Sequence, residues 1–239
     1  MPPIADATVD TPLGPVTGHL AEPDGDGTVP AVLVLHELFG LTPEMRGHAD
    51  RLAAAGYLAL APDLYSWGAR PRCIAATMAA MARGRGEALG VLDATRQWLA
   101  DHARSTGAVG VVGFCMGGGL ALVHAPKGGY GAAAPNYGHV PPHAEQALEG
   151  ICPVVASFGG RDPMLRGHAA RLEQALDGLG VPHDVHVYPE ATHGFMNGQS
   201  GPVTRLSTRL MRIRHDPEAA EDTWRRILAF FERYLQHTD

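Results

Sequence analysis

The sequence predicts a doubly wound α/β fold, a single domain around a mostly parallel sheet. Two patterns predict it. Short continuous apolar runs, as expected for strands buried on both faces, alternate with segments of helical periodicity. The 30 glycines and 19 prolines are spread between short elements rather than gathered in a linker. The length of 239 residues suits one large domain better than two small ones.

The elements follow in order. Ala7 to Leu20 reads as two short strands around the turn Pro12-Leu13-Gly14-Pro15, and Asp24-Gly25-Asp26-Gly27 is a second turn. Ala31 to Leu35 is an unbroken apolar strand. Pro43 to Gly56 is a helix, with Thr42 as N-cap and Gly56 as its stop. Tyr57 to Ala61 is a strand closed by Pro62-Asp63. Glu87 to His102 is helical, with Leu89, Leu92, Arg96 and Leu99 at helical spacing. Val109 to Val112 is a strand and Gly117 to His124 a helix. Ala132 to Tyr137 and Pro153 to Phe158 are strands, Leu165 to Leu179 a helix, and Asp184 to Tyr188 the last strand. Asp216-Pro217 opens a terminal helix, an acid cap followed by proline at the first helical position. Its apolar face is Trp224, Ile227, Leu228, Phe231 and Leu235. Crossovers between the parallel strands should be right-handed.

Composition excludes several classes. With 45% hydrophobic residues the chain has ample core and is not disordered. Lys+Arg of 19 against Asp+Glu of 25 gives a net charge of -6, which argues against nucleic-acid binding. Every basic residue but Lys127 is arginine, a compositional bias that also suits carboxylate recognition. Met1 to Asp6 shows neither a basic start nor an apolar stretch of signal-peptide length, and no run of about 18 apolar residues occurs. The expectation is a cytoplasmic protein without a membrane span. Cys73, Cys115 and Cys152 fit neither a disulfide framework nor a zinc ribbon. His183/His186 and His139/His143 lack the helical geometry of a metal pair, so neither metal nor cofactor is called for.

In open sheets of this class function collects at the carboxyl ends of the strands. Cys115 stands there, in Gly113-Phe114-Cys115-Met116-Gly117 after the Val109–Val112 strand. This is the arrangement of a nucleophile elbow with cysteine in place of serine. A sharp strand-to-helix turn strains the nucleophile's backbone, and the flanking glycines avoid collision with neighbouring segments. The helix N-terminus adds N–H groups and partial positive charge that favour a thiolate. Two plainer readings compete: a phosphate-binding turn, although the G-x-G-x-x-G pattern fails at position 115, and a buried inert thiol.

His193 lies in Ala191-Thr192-His193-Gly194-Phe195, just past the last strand; alone, among 13 histidines, it means little. Asp162 lies in Gly160-Arg161-Asp162-Pro163, past the preceding strand, where a turn aspartate before proline is common. Together they alter the reading. Nucleophile, acid and histidine occur in the chain order of α/β-hydrolases, each at the end of a predicted strand.

Glu37, in His36-Glu37-Leu38-Phe39-Gly40 after the Ala31–Leu35 strand, sits where an oxyanion loop belongs. A charge there would repel a developing oxyanion by roughly a few kcal/mol at an effective dielectric near 20. Glu37 therefore points away, is protonated, or acts on the thiol proton; a surface acid at a helix start is the plainer alternative.

With these stretches, and with Pro62-Asp63-Leu64-Tyr65, the chain resembles the dienelactone hydrolase family of α/β-hydrolases over nearly its whole length. The resemblance implies a Cys115–His193–Asp162 triad and an oxyanion hole from the N–H groups of Met116 and Leu38. It also implies that Glu37 interacts with the resting thiol and takes its proton as substrate binds. A small ester or lactone would then pass through a thioester on Cys115. Family members that act on dienelactone hold its carboxylate with arginines, one four residues after the catalytic histidine; here that position is Asn197. A second would come from Arg70, Arg72, Arg83 or Arg85, of which Arg72 is the candidate contact. Phe39, Tyr65, Trp67 and Tyr137 are candidate pocket aromatics, Tyr137 foremost, with core packing as the alternative. A thiol-based redox or electrophile sensor, or a non-catalytic binding module on the same fold, are the competing functions. Monomer and homodimer both stay open.

Overall fold

In the computed structural model, which describes residues 4–198 and 214–236, eight strands form one sheet. They are β1 (Ile4–Val9), β2 (Val16–Ala21), β3 (Val29–Leu35), β4 (Leu58–Pro62), β5 (Ser105–Phe114), β6 (Ala132–Asn136), β7 (Val154–Gly159) and β8 (His183–Tyr188). The helices among the described residues are α1 (Pro43–Ala54), α2 (Arg70–Arg83), α3 (Glu87–Ala100), α4 (Met116–Gly128), α5 (Ala144–Ala147), α6 (His168–Leu179) and α7 (Pro217–Leu235). The spatial order is β1-β2-β4-β3-β5-β6-β7-β8. β1 and β2 form the expected hairpin, β2 runs antiparallel to β4, and every pairing from β4 to β8 is parallel.

The apolar runs explain the layers. Ala31, Leu33 and Leu35 of β3 enter one core, and Val32 and Val34 enter the other. β5 divides likewise, Val109 and Val111 to one side, Val112 and Phe114 to the other. Both faces are covered, as unbroken hydrophobic strands require. Met45, Ala49 and Leu52 of α1 share the second core with Trp224, Ile227 and Phe231 of α7. Leu92 and Leu99 of α3, Leu120 of α4 and Leu172 of α6 fill the first. Leu228, expected on the apolar face of α7, is only half-buried. β3 lies between β4 and β5, so the chain order reverses at its flank. Ligands of doubly wound sheets bind at such a switch point, outside the carboxyl ends of the strands.

The caps behave as their chemistry dictates. Thr42 accepts from the Met45 N–H at 3.4 Å, and Asp216 from the Ala219 N–H at 3.1 Å. Several elements differ from expectation, among them the single turn α5, which is too short to show a periodic face. α2 was not anticipated: it buries only Cys73, Thr77 and Ala80, too narrow a stripe to read as a helical face. β5 begins at Ser105, and its first residues are polar and largely exposed, which hides them from a hydrophobicity pattern. α4 runs on to Gly128 with Pro126 in its last turn. No helix among the described residues is long and apolar enough to cross a membrane.

Replacing Asp216 with alanine leaves an N–H of α7 uncapped and should cost about 1 kcal/mol. Urea unfolding of the two proteins measures this as a lower midpoint at unchanged slope.

Candidate active site

The turn between β5 and α4 carries Cys115 at φ 53°, ψ -111°. A side-chain-bearing residue rarely adopts such a backbone, and the surrounding contacts must hold it there. The Cys115 N–H donates to the Asn136 carbonyl at 3.1 Å, and its own carbonyl accepts from Gly119 at 3.1 Å. The flanking glycines show how tight the turn is. A Cβ on Gly113 would lie 2.0 Å from the Gly117 carbonyl oxygen, and one on Gly117 would lie 2.1 Å from that of Leu35. No larger residue fits either place. The first turn of α4 is thereby pressed against the exit of β3, with Cys115 at the crest.

Three side chains from distant segments meet at that crest. His193, on the loop after β8, brings Nε2 to 3.1 Å from Cys115 Sγ. On its other edge Nδ1–H donates to Asp162 Oδ2 at 2.6 Å. Asp162, on the loop after β7, is buried and accepts at Oδ1 from the Met164 N–H at 2.9 Å. Burial by itself would lower the His193 pKa, but the hydrogen bonds and charges of Asp162 and Cys115 outweigh it and raise the value to about 10.

The exit of β3 is fixed by His36. Its Nδ1–H donates to the Glu37 carbonyl at 2.6 Å, and its Nε2 accepts from the Leu64 N–H at 3.0 Å. These two partners demand one neutral tautomer, and burial agrees, lowering the His36 pKa to about 4. His36 therefore clamps the peptide unit whose N–H belongs to Leu38. The Tyr65 hydroxyl donates to the Leu38 carbonyl at 3.1 Å, securing the next peptide. Met116 is the first residue of α4, where a helix leaves its N–H without an internal partner.

Glu37 lines the same cavity as Cys115, and no hydrogen bond joins the two side chains among the described residues. Burial raises its carboxyl to about pH 7, against the opposing pull of the Asn197 side chain and the His193 charge. Asn197 is itself oriented: its Oδ1 accepts from His48 Nε2–H at 2.7 Å, so its amide nitrogen is left for the Glu37 side. His48 is stacked on Phe114 at 4.4 Å, and burial lowers its pKa to about 4, keeping it neutral. Sequence reasoning missed His36 and His48. The one available signal for His48 was a polar residue beside Met45, Ala49 and Leu52 on the buried face of α1.

A cavity of about 300 Å³ opens over these groups, lined by Glu37, Leu38, Cys115, Met116, Tyr137, His193 and Asn197 among others. Tyr137 is fully buried, packs edge-on against His193 at 5.4 Å, and its hydroxyl has no partner among the described residues. Phe39 also lines the cavity, whereas Tyr65 and Trp67 are packed in the core. Arg72, the expected substrate contact, does not line it. It is exposed and lies over the Trp67 ring at 5.8 Å, because α2 carries it away from the crest. Arg70 donates to the Phe39 carbonyl at 3.0 Å, and Arg83 and Arg85 are exposed. Burial pushes the thiols of Cys73 and Cys152 up, that of Cys152 to about 12, and neither touches the site.

A sequence profile of the dienelactone hydrolase family matches residues 16–235. A carboxymethylenebutenolidase of Rhodococcus opacus is 32% identical, covering 91% of this chain and 85% of its own length. Among solved structures, a dienelactone hydrolase-like promiscuous phosphotriesterase from metagenomic libraries superposes with a TM-score of 0.82 at 22% identity, over 97% of this chain and 98% of the other. A dienelactone hydrolase of Anabaena variabilis does so with a TM-score of 0.68 at 22% identity, over 98% and 99%. At these identities the structural likeness shows the fold.

Because its folded pKa lies above the ordinary 6.5, protonated His193 stabilises the fold fully below pH 6.5, and that contribution is lost as pH rises through about 10. In Asp162→Asn, burial is opposed by fewer partners, and the His193 pKa should fall well below the wild-type value. NMR titration of the imidazole measures both values.

Proposed function

The chain belongs to the dienelactone hydrolase family, and on that premise we propose that it hydrolyses a small carboxylic ester or lactone through a thioester on Cys115. One observation carries the reading: Sγ, Nε2, Nδ1 and Oδ2 lie in series at 3.1 and 2.6 Å on a strained elbow. A thiol merely buried in a core needs neither the strain nor the oriented histidine.

The steps follow from that series. In the reactive pair the thiol proton already resides on His193 Nε2, as the raised pKa favours, and Asp162 stabilises that imidazolium. The thiolate attacks the ester carbonyl, and the N–H groups of Met116 and Leu38 receive the oxyanion. Each such donor contributes roughly 3 kcal/mol of transition-state stabilisation. As the tetrahedral intermediate collapses, the C–O bond breaks and His193 returns its proton to the departing alkoxide. Water, with His193 as base, then attacks the thioester; the acid leaves and the thiol is restored. In the dienelactone hydrolase mechanism, as the resemblance conveys it, a glutamate takes the thiol proton. Here Nε2 is the base within reach of Sγ, and Glu37 serves in its neutral form beside the oxyanion, where a carboxylate would oppose charge development.

Two measurements test this. With p-nitrophenyl acetate, wild type should show a burst, steady turnover and an acyl adduct on Cys115 by intact mass, all lost in Cys115→Ala. An adduct that never turns over would instead favour a thiol sensor.

The pH dependence of kcat/KM tests Glu37. Since its carboxyl ionises near pH 7, the wild-type rate should fall as pH rises through 7, and the fall should vanish in Glu37→Gln. A rate that rises through the same range would make Glu37 the base.

A further inference from the structure

We infer that the acyl part of the substrate is neutral and apolar, an aliphatic ester or lactone rather than one carrying a carboxylate. This rests on the hydrolase reading and names its substrate class.

The cavity wall is the first observation. Leu38 and Phe39 from the exit of β3, Met78 and Met81 from α2, Met116 from α4 and Met164 from the loop after β7 converge on it. Its rim is the second. Leu38, Met78 and Met164 are 44%, 37% and 52% exposed, and they are three of the four large hydrophobic side chains most open to solvent among the described residues. All three border this one opening, while scattered surface hydrophobics would carry no message. Apolar surface gathered around a reactive group marks the seat of an apolar ligand. Methionine, unbranched and polarisable, adapts to chains of differing shape.

The polar groups agree. The side chain that faces Glu37 is the Asn197 amide, held in orientation by a neutral histidine, so the wall presents a dipole there rather than a cation. Among the described residues no lysine or arginine lines the cavity, and the His193 imidazolium that does is paired with Asp162. Arg70 and Arg72 are turned onto the Tyr65 and Trp67 rings. A substrate carboxylate seated here would face the Glu37 carboxyl instead.

A cavity of about 300 Å³ has room for a short acyl chain.

The test is kcat/KM for p-nitrophenyl esters from acetate to octanoate, each below its micelle concentration. It includes the p-nitrophenyl monoester of glutaric acid, whose carboxylate ends a chain about as long as hexanoate. We expect a rise of roughly threefold per methylene up to hexanoate, most of the value of one buried methylene. The glutarate monoester should fall at least about 30-fold below hexanoate. The variant Met78→Glu/Met164→Glu should lower the hexanoate-to-acetate ratio at least about tenfold, whatever its absolute rates. A flat chain-length profile, or glutarate turned over as fast as hexanoate, overturns the substrate class while leaving the hydrolase reading intact. Absence of turnover for every ester, acetate included, overturns both. Because the wild-type series suffices, a variant that fails to fold leaves the outcome decided.

Discussion

The approach of α4 to the exits of β3 and β5 is the constraint on which the other features depend. Where Gly117 meets the Leu35 carbonyl and Gly113 meets Gly117, two backbones occupy space that a single Cβ would fill. That contact holds Cys115 at positive φ. The same contact starts α4 directly behind the thiol and presses its first turn against the exit of β3. The proposed nucleophile and the two N–H groups proposed to receive the oxyanion thus rest on main-chain packing, which does not have to be rebuilt each time a substrate binds. Electrostatic stabilisation without reorganisation is the most effective kind a site can supply.

Burial acts on four ionisable groups around that turn, and the partner decides each outcome. His36 and His48 are desolvated, meet backbone or amide groups, and stay neutral, so their hydrogens are fixed and they serve as rigid hydrogen-bonding struts. His193 is desolvated as well, yet the Asp162 carboxylate and Cys115 reverse the effect and favour the imidazolium. Glu37 is opposed by an amide and the His193 charge but has the Glu44 charge acting with its burial, so burial prevails and its carboxyl ionises near pH 7. Neutral struts, one stabilised cation and a carboxyl poised near neutrality arise from a single physical cause, modulated by what each group touches.

Much of this was legible in the chain because its causes are local. The apolar run Ala31–Leu35, the Thr42 and Asp216 caps and the glycines about Cys115 are adjacent residues whose sterics and periodicity dictate β3, α1, α7 and the elbow. Asp162 and His193 could be placed because each follows a strand of the sheet, and the chain order of the three groups matched one arrangement. α2 left no such trace: its alanine-rich surface buries too little to show a face. The first residues of β5 were hidden by their polarity.

Near neighbours along the chain dictate the sheet, its two cores and the three groups at the crest, since periodicity and glycine spacing act between them. What surrounds those groups follows from packing between distant segments. His48 and Asn197 stand 149 residues apart and meet because α1 packs on the same face as Phe195 and Met196 of the loop after β8. α2 turns Arg72 away and sets Met78 at the rim of the cavity. Asn197 comes to act on the Glu37 carboxyl because His48 of α1 holds its amide there. Each of these depends on where separate segments come to rest against one another, and no spacing along the chain encodes that distance.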